Sequence, residues 1–248
     1  MIQRYNNINK EHHYIIKYNT TQTELNKLQD EIVNTESYID SNVHKVIKLL
    51  EESSFIERFP DNSKYKLTLK GLIASQIREV HCILFADLTM NDAFHVFTTN
   101  ELVAIFSCFA NVTVSEDLRC VLPNADNKLV ENAIIEIVKK KQNIEDNEYA
   151  LKINTGTSFE MQFDLISYTY NWCECNNIEE CKLLIHQMEI EKGIFLGEFV
   201  KALLKINNIA VELEKVAECI GNIEFLHKLR EIPKKTLKYV VTNQSLYV

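Results

Sequence analysis

The scarcity of glycine and proline constrains this sequence more than any other feature. Only five glycines and three prolines occur in 248 residues. Because these residues supply most tight turns and helix breaks, so few of them favour long helices over a doubly wound sheet or a β-sandwich. Apolar residues make up 46% of the chain, enough to bury a full core. We therefore expect a mainly α fold built around a helical bundle.

The few glycines also exclude the usual nucleotide-binding loops. Neither G-x-x-x-x-G-K-[ST] nor G-x-G-x-x-G occurs in the sequence. The seven histidines have no serine or cysteine partner at a spacing that indicates nucleophilic catalysis. The sequence therefore predicts no catalytic residue and no nucleotide-binding loop in this chain.

Charge and cysteine usage limit the partners and the compartment. The formal net charge of −8 argues against a general duplex binder, whose affinity depends on many contacts of lysine and arginine to phosphates. The seven cysteines lie mostly among helical apolar residues, and no secretory signal precedes them. This usage indicates reduced thiols in an intracellular protein, nuclear or cytoplasmic. No apolar run reaches the roughly 18 residues that span a bilayer, so no membrane partner is expected.

The first 42 residues predict an N-terminal arm followed by a stalk-like helix. Residues 1–19 are polar without a clean period and are interpreted as an arm or a frayed helix end. A capping box at Thr21-x-x-Glu24 predicts the start of a helix. Its narrow apolar stripe suits an antiparallel two-helix stalk, although an ordinary surface helix fits equally well. The stripe consists of Leu25, Leu28, Ile32 and Ile39.

Residues 43–71 predict the end of a winged helix. Asp40 and Ser41 can cap a second helix, which is too densely apolar for one narrow face. Alternating apolar residues between 55 and 69 then predict a β-hairpin that turns at Pro60–Ser63. A helix followed by a two-stranded hairpin is typical of a winged-helix remainder.

The segment 72–248 is predicted to be helical to its end. Capping boxes at Thr98-x-x-Glu101 and Thr157-x-x-Glu160 each precede an apolar run. Loops are expected near 89–98, 113–125 and 142–157.

The longest helix is predicted from about Gly197 to Ile220. Gly221-Asn222 is a typical C-terminal stop signal after it. Two shorter helices are expected to close the chain, one before and one after Pro233.

Five short motifs occur in order along the second part of the chain. They are Leu69-Lys70-Gly71 followed by Leu72, Ala74 and Ile77, then Phe106-Ser107-Cys108-Phe109, Tyr170-Asn171-Trp172-Cys173, Ile220-Gly221-Asn222 and Ser245-Leu246-Tyr247-Val248. In this order and spacing they resemble the DSHCT domain that ends the exosome-associated and superkiller DExH RNA helicases. The resemblance covers roughly residues 43–248.

The resemblance implies a domain organisation and a set of partners. It implies an arm and stalk-like helix over 1–42, similar to the returning helix of the family's arch insertion, then a winged-helix remainder over 43–71 and a DSHCT bundle over 72–248. The implied partners are single-stranded RNA, RecA-like helicase lobes in cis or in trans, and exosome or adaptor proteins. ATP and Mg²⁺ would belong to the missing motor domains, so no cofactor is expected in this chain.

One face of the longest helix carries the candidate site. Lys201, Lys205, Asn208 and Glu212 recur at helical spacing opposite most of its apolar residues, a pattern that is by itself typical of a solvated face. The family's corresponding ratchet helix runs beside the RNA strand that leaves the motor. The resemblance therefore implies RNA-binding roles for Lys201, Lys205 and Asn208.

The chain departs from the family pattern along this helix. Leu196 stands before Gly197 where the family has glutamate, lysines stand at 201 and 205 where it has arginines, and Asn208 replaces a glutamate. Lysine keeps the charge but not the planar, bidentate geometry of arginine. We therefore expect looser contacts to RNA.

Other candidate sites have plainer interpretations. Cys173, Cys175, Cys181 and His186 could be imagined as a zinc cluster, but their spacing fits no common ligand pattern, so structural thiols and no metal are predicted. Trp172 could stack on a base. A place in the core fits better, because its helix must bury other large residues. Residues 139–141 are three consecutive lysines, and we interpret them as lying at a helix C-terminus, where positive charges stabilise the negative end of the helix dipole.

Two functions remain open from the sequence. The first is the RNA-guiding accessory module of an ATP-dependent RNA helicase that acts in RNA unwinding and decay. The alternative is a motorless adaptor or structural protein that binds a helicase or exosome partner. An in-frame nucleotide-binding loop and DExH box upstream of Met1 would favour the first.

Overall fold

The protein is represented by a computed structural model that describes residues 2–60, 64–153 and 160–239, with the side chains of 2–11, 34 and 37 excepted. The chain divides into two compact units, Met1–Glu52 and Ser53–Val248. The predicted capping box at Thr157, most of the turn at Pro60–Ser63 and the closing motif at Ser245 lie outside the described residues.

The first unit contains a single helix, α1, from Ile2 to Glu52. The predicted helix starts at Thr21 and at Asp40 are therefore wrong, and of the two interpretations of residues 1–19 the helical one agrees with α1. The assignment of residues 1–42 to an arm and a stalk-like helix stays a prediction. The segment contains no glycine or proline to end a helix, and the Thr21 hydroxyl donates to the carbonyl of Lys17 at 2.9 Å instead of capping. The assignment of residues 43–71 to a winged helix stays a prediction.

A β-hairpin opens the second unit, as predicted. Strands β1 (Ile56–Arg58) and β2 (Tyr65–Leu67) are antiparallel, with Ile56 opposite Leu67. The carbonyl of Phe55 accepts the backbone N–H of Thr68 at 3.1 Å, and the Thr68 side chain caps helix α2, Leu69–Ser75. The hairpin is thereby fixed against the start of α2.

The junction of hairpin and α2 requires a glycine at position 71. A Cβ atom there would lie 2.0 Å from the Phe55 carbonyl oxygen and 3.1 Å from Cδ2 of Leu67. Real Cβ atoms do not approach a backbone oxygen this closely. The glycine of the Leu69-Lys70-Gly71 motif is thus a packing requirement.

Seven further helices and one 3₁₀ turn follow in the described part of the second unit. They are α3 (Cys82–Met90), α4 (Thr99–Ser107), the 3₁₀ turn (Glu116–Leu118), α5 (Lys128–Leu151), α6 (Ile166–Glu174), α7 (Ile178–Lys192), α8 (Leu196–Ile220) and α9 (Ile223–Thr236). The fold is mainly α with one two-stranded sheet among the described residues, as predicted.

Two helix boundaries differ from the sequence prediction. Helix α5 extends to Leu151, through more than half of the loop expected at 142–157, and is capped by Lys152, which adopts a left-handed conformation. Helix α9 continues through Pro233 instead of being divided there. Pro233 lies in its last turn, where a missing N–H costs only one hydrogen bond.

The three lysines of the basic run lie in the middle of α5, so their interpretation as a C-terminal cluster is wrong. Each has a carboxylate partner: Lys139 pairs with Glu136, Lys140 with Asp87 and Lys141 with Glu145. These pairs account for the run without a ligand.

Helix α4 lies at the centre of the core and contacts α5, α6, α8 and α9. The predicted capping box is present, because Thr98 and Glu101 exchange side-chain and backbone hydrogen bonds. All residues from Leu102 to Ser107 are buried.

Trp172 of α6 is fully buried and packs edge-on against Phe199 of α8 with ring centroids 5.3 Å apart. The interpretation of Trp172 as a core residue is confirmed, and a base-stacking role for it is excluded.

Asp87 of α3 joins three helices. Its two carboxylate oxygens accept hydrogen bonds from Lys70 of α2 at 2.9 Å and from Lys140 of α5 at 2.7 Å. Partial burial raises the pKa of Asp87, but the hydrogen bonds and positive charges of Lys140 and Lys70 outweigh burial and leave the pKa below its ordinary value.

Replacing Asp87 with asparagine is expected to lower the free energy of unfolding by about 1 kcal/mol at pH 7. Because the folded-state pKa of Asp87 is depressed, its contribution is present above the unfolded-state pKa of about 3.9 and is lost as the pH falls through the folded value. Urea unfolding of parent and variant between pH 7 and pH 2.5 should therefore give free energies that converge in acid. Glu136→Gln, which removes an exposed pair, should change little, and a constant difference for Asp87→Asn across the range would contradict the assignment.

Candidate nucleic-acid interface

Helix α8 is the longest helix of the second unit and forms the candidate interface. It begins at Leu196, as predicted to within one residue, and ends at Gly221, whose positive φ of 73° suits glycine. Its buried face packs into the core through a row of large apolar side chains, namely Phe199, Val200, Leu203, Ile206, Ile209, Leu213 and Val216. That packing fixes which face of α8 remains open.

The open face of α8 contains a row that we call the α8 stripe, formed by Lys201, Asn208 and Lys215. All three residues are exposed and follow one another at intervals of seven, close to two helical turns. With other described residues their side chains form no hydrogen bond or ion pair. The two lysines are about 21 Å apart along the helix axis, at 1.5 Å per residue. The stripe can present two free ammonium groups to one extended ligand.

Lys205 lies beside the stripe but already has a partner. Its Nζ atom is 2.6 Å from Oε2 of Glu79, and both side chains are about a third exposed, at 32%. Any phosphate contact by Lys205 therefore requires exchange of Glu79 for the phosphate.

Glu212 is the fourth residue of the predicted face, and the chain turn before α3 covers it in part. Its Oε2 atom accepts the backbone N–H groups of Arg78 and Glu79, both at 2.8 Å. The structure thus separates the predicted set into two open residues, Lys201 and Asn208, and two that bind the turn. RNA contacts by Lys201, Lys205 and Asn208 stay a prediction.

Lys215 was missed by the sequence analysis. The predicted face ends at Glu212, although Lys215 continues the seven-residue spacing from Lys201 through Asn208. The neighbouring acidic residues Glu214 and Glu218 are paired with Arg230, at 3.4 and 2.7 Å. Their charge is partly neutralised, which leaves Lys215 as the free cation of this turn among the described residues.

The cysteines near α6 do not form a metal site in the described part of the chain, where no group of three or more histidine, cysteine or acidic side chains is placed to hold a metal ion. Burial raises the pKa of Cys173 to about 12 and, together with the nearby Cys175, that of Cys181 to about 12. These thiols stay protonated at neutral pH. His186 is exposed on α7.

No described helix is both long enough and apolar enough to cross a bilayer.

Comparison with known proteins gives one family and one curated relative. The family model "DSHCT (NUC185) domain" matches residues 64–243. The DExH-box ATP-dependent RNA helicase DExH9 of Arabidopsis thaliana is 24% identical over 185 residues, which cover 73% of this chain. The same alignment covers 17% of the relative, so this chain spans only a small part of that protein's length.

Proposed function

The chain belongs to the DSHCT domain family, and from this premise we propose that it is the RNA-guiding C-terminal module of an ATP-dependent, superkiller-like RNA helicase. In this proposal the RecA-like lobes, in cis or in trans, bind ATP and Mg²⁺ and move the strand. The chain supplies a surface along which the RNA strand passes. The helicase then acts in RNA decay together with exosome or adaptor partners. Its likeness to the RNA helicase DExH9 supports the helicase context.

The α8 stripe carries the proposal. Lys201 and Lys215 project from a helix that is rigidly packed on its other side, and neither ammonium group is neutralised by a described carboxylate. Lysine binds a phosphate as a point charge without reading the base, which suits a surface that must accept every sequence passing over it. Asn208 between them can donate to a phosphate or a ribose hydroxyl.

The charge balance of the chain sets the strength of this contact. With a net charge of −8 and only two free lysines on the stripe, the isolated chain is expected to bind RNA weakly. A weak, non-specific contact suits a guide, because a strand that must move cannot be held tightly.

Replacing Lys201 and Lys215 with alanine should weaken the binding of a labelled 12-nucleotide RNA by roughly fivefold for each lysine at 50 mM salt. Fluorescence anisotropy with oligouridine, oligoadenine and a mixed strand should show about the same loss for all three, because phosphates are the contact. The dependence of log K on log salt should flatten by about 0.7 for each lysine.

Lys139→Ala with Lys182→Ala is the matched control, since both are exposed lysines on other helices. This variant should bind RNA like the parent. All variants should keep their stability within about 0.5 kcal/mol, because the changes are on the surface. If the α8 variant and the control variant lose RNA affinity equally, the loss reflects only the change in net charge. The adaptor function would then be preferred.

A further inference from the structure

A cavity of about 410 Å³ lies between α4, the start of α5 and α6, away from the α8 stripe. Its floor is apolar, with Ala104, Val130 and Ile166, and its wall includes Ser167 and Tyr170. This volume falls in the range of sites that hold a small ligand or a large side chain with its neighbouring backbone.

The rim of the cavity is acidic. Asp126 lines the opening and is exposed, while the carboxylates of Glu101 and Glu174 bind the neighbouring amides of Asn127 and Asn100. Burial raises the pKa of the Tyr170 hydroxyl, and the negative charges of Glu174, Glu101 and Asp126 raise this pKa further.

The lysine in the lining does not offset this charge. Both carboxylate oxygens of Glu131 lie within 3.0 Å of Nζ of Lys128. Asp126 in the lining and the neighbouring carboxylates of Glu101 and Glu174 are therefore not balanced by a free cation among the lining residues.

Two exposed apolar side chains occur close in sequence to residues that line the cavity. Leu129, next to the lining residue Lys128, is 62% exposed, and Leu122, three residues before the lining residue Ala125, is 75% exposed. An apolar surface rimmed by polar residues is typical of protein interaction sites.

We propose that this cavity is a docking site for a peptide segment of a partner protein, which inserts one large apolar side chain and places arginine or lysine residues against the acidic rim. The apolar floor selects the inserted side chain and the three carboxylates select the basic flanks. The same carboxylates repel RNA, whose phosphates are negative. A second copy of this acidic chain is disfavoured for the same reason. The site is independent of the RNA contact on α8.

A displayed library of random heptapeptides, panned against the full chain, tests the proposal. Enriched sequences are expected to combine leucine or an aromatic residue with at least one arginine or lysine. The most enriched peptide, labelled with fluorescein, should lose about fivefold to tenfold in affinity with Asp126→Lys, which reverses one rim charge. Ser167→Trp should fill the cavity and abolish binding.

Each variant has a matched control. Asp117→Lys makes the same charge change on an exposed residue of the preceding 3₁₀ turn, and Asn171→Trp adds the same ring to an exposed position of α6. Both should bind the peptide like the parent. Enrichment of neutral or acidic peptides, or equal binding by Asp126→Lys and Asp117→Lys, would overturn the proposal even if Ser167→Trp fails to fold.

Discussion

Replacing Trp172 with alanine should lower the free energy of unfolding by about 3–5 kcal/mol. The side chain is fully buried, and its ring packs edge-on against Phe199. Its Nε1 donates to the carbonyl of Thr236 at 2.9 Å, which ties α6 to the end of α9. Alanine would leave a cavity where α6, α8 and α9 meet, and the surrounding helices can close it only in part.

Two further variants isolate the cause of this loss. Trp172→Phe should cost less, about 1–2 kcal/mol, because much of the volume stays and the Thr236 carbonyl keeps the N–H of Lys238 as a donor. Tyr149→Ala, at a position 86% exposed, should cost under about 0.5 kcal/mol. Urea unfolding must be followed by circular dichroism, since Trp172 is the only tryptophan. An alanine variant as stable as the parent would show that α6 does not pack as described.

Replacing Gly71 with alanine should destabilise the chain by about 3 kcal/mol, the upper end for overpacked sites. The added Cβ would lie 2.0 Å from the Phe55 carbonyl oxygen, so either the hairpin or α2 must move. That oxygen also accepts the N–H of Thr68, and the displacement would strain this hydrogen bond as well. Thermal unfolding of the full chain is the measurement.

Gly197→Ala is the matched control for the same chemical change. Nothing lies within 4 Å of a Cβ at position 197, and its backbone is helical. Alanine should stabilise this position by up to about 1 kcal/mol, because it restricts the unfolded chain and favours the helix. Opposite signs for the two glycines are therefore expected. Equal effects would remove the steric explanation for Gly71.

The sequence predicted those features of the fold that local signals encode. The capping box at Thr98, the hairpin between Ile56 and Leu67 and the end of α8 at Gly221 all depend on residues a few positions apart, and all three are confirmed. The failures arise where one residue type fits two structures. Threonine can cap a helix or lie inside one, so Thr21 gave a false start. Proline can end a helix or lie in its last turn, so Pro233 gave a false break.

The candidate site could be predicted only in part. The periodicity of α8 identified its open face, because burial of the opposite face follows from the apolar pattern. The ion pair of Lys205 with Glu79 joins residues 126 positions apart, and no local pattern indicates it. The cavity beside Tyr170 likewise depends on how α4, α5 and α6 pack, so sequence periodicity could not reveal it.

The unequal burial of the cysteines gives the chain a built-in position for a chemical probe. Cys108, Cys173 and Cys181 are buried, whereas Cys219 is the exposed thiol among the described residues and lies in the last turn of α8. Alkylation requires that the reagent reaches the sulfur and that the sulfur is a thiolate. Burial blocks access to the three buried cysteines and disfavours their thiolate form. A maleimide dye or spin label should therefore attach first at Cys219, four residues beyond Lys215. A strand that passes along the α8 stripe would then change the signal of the label without any engineered cysteine.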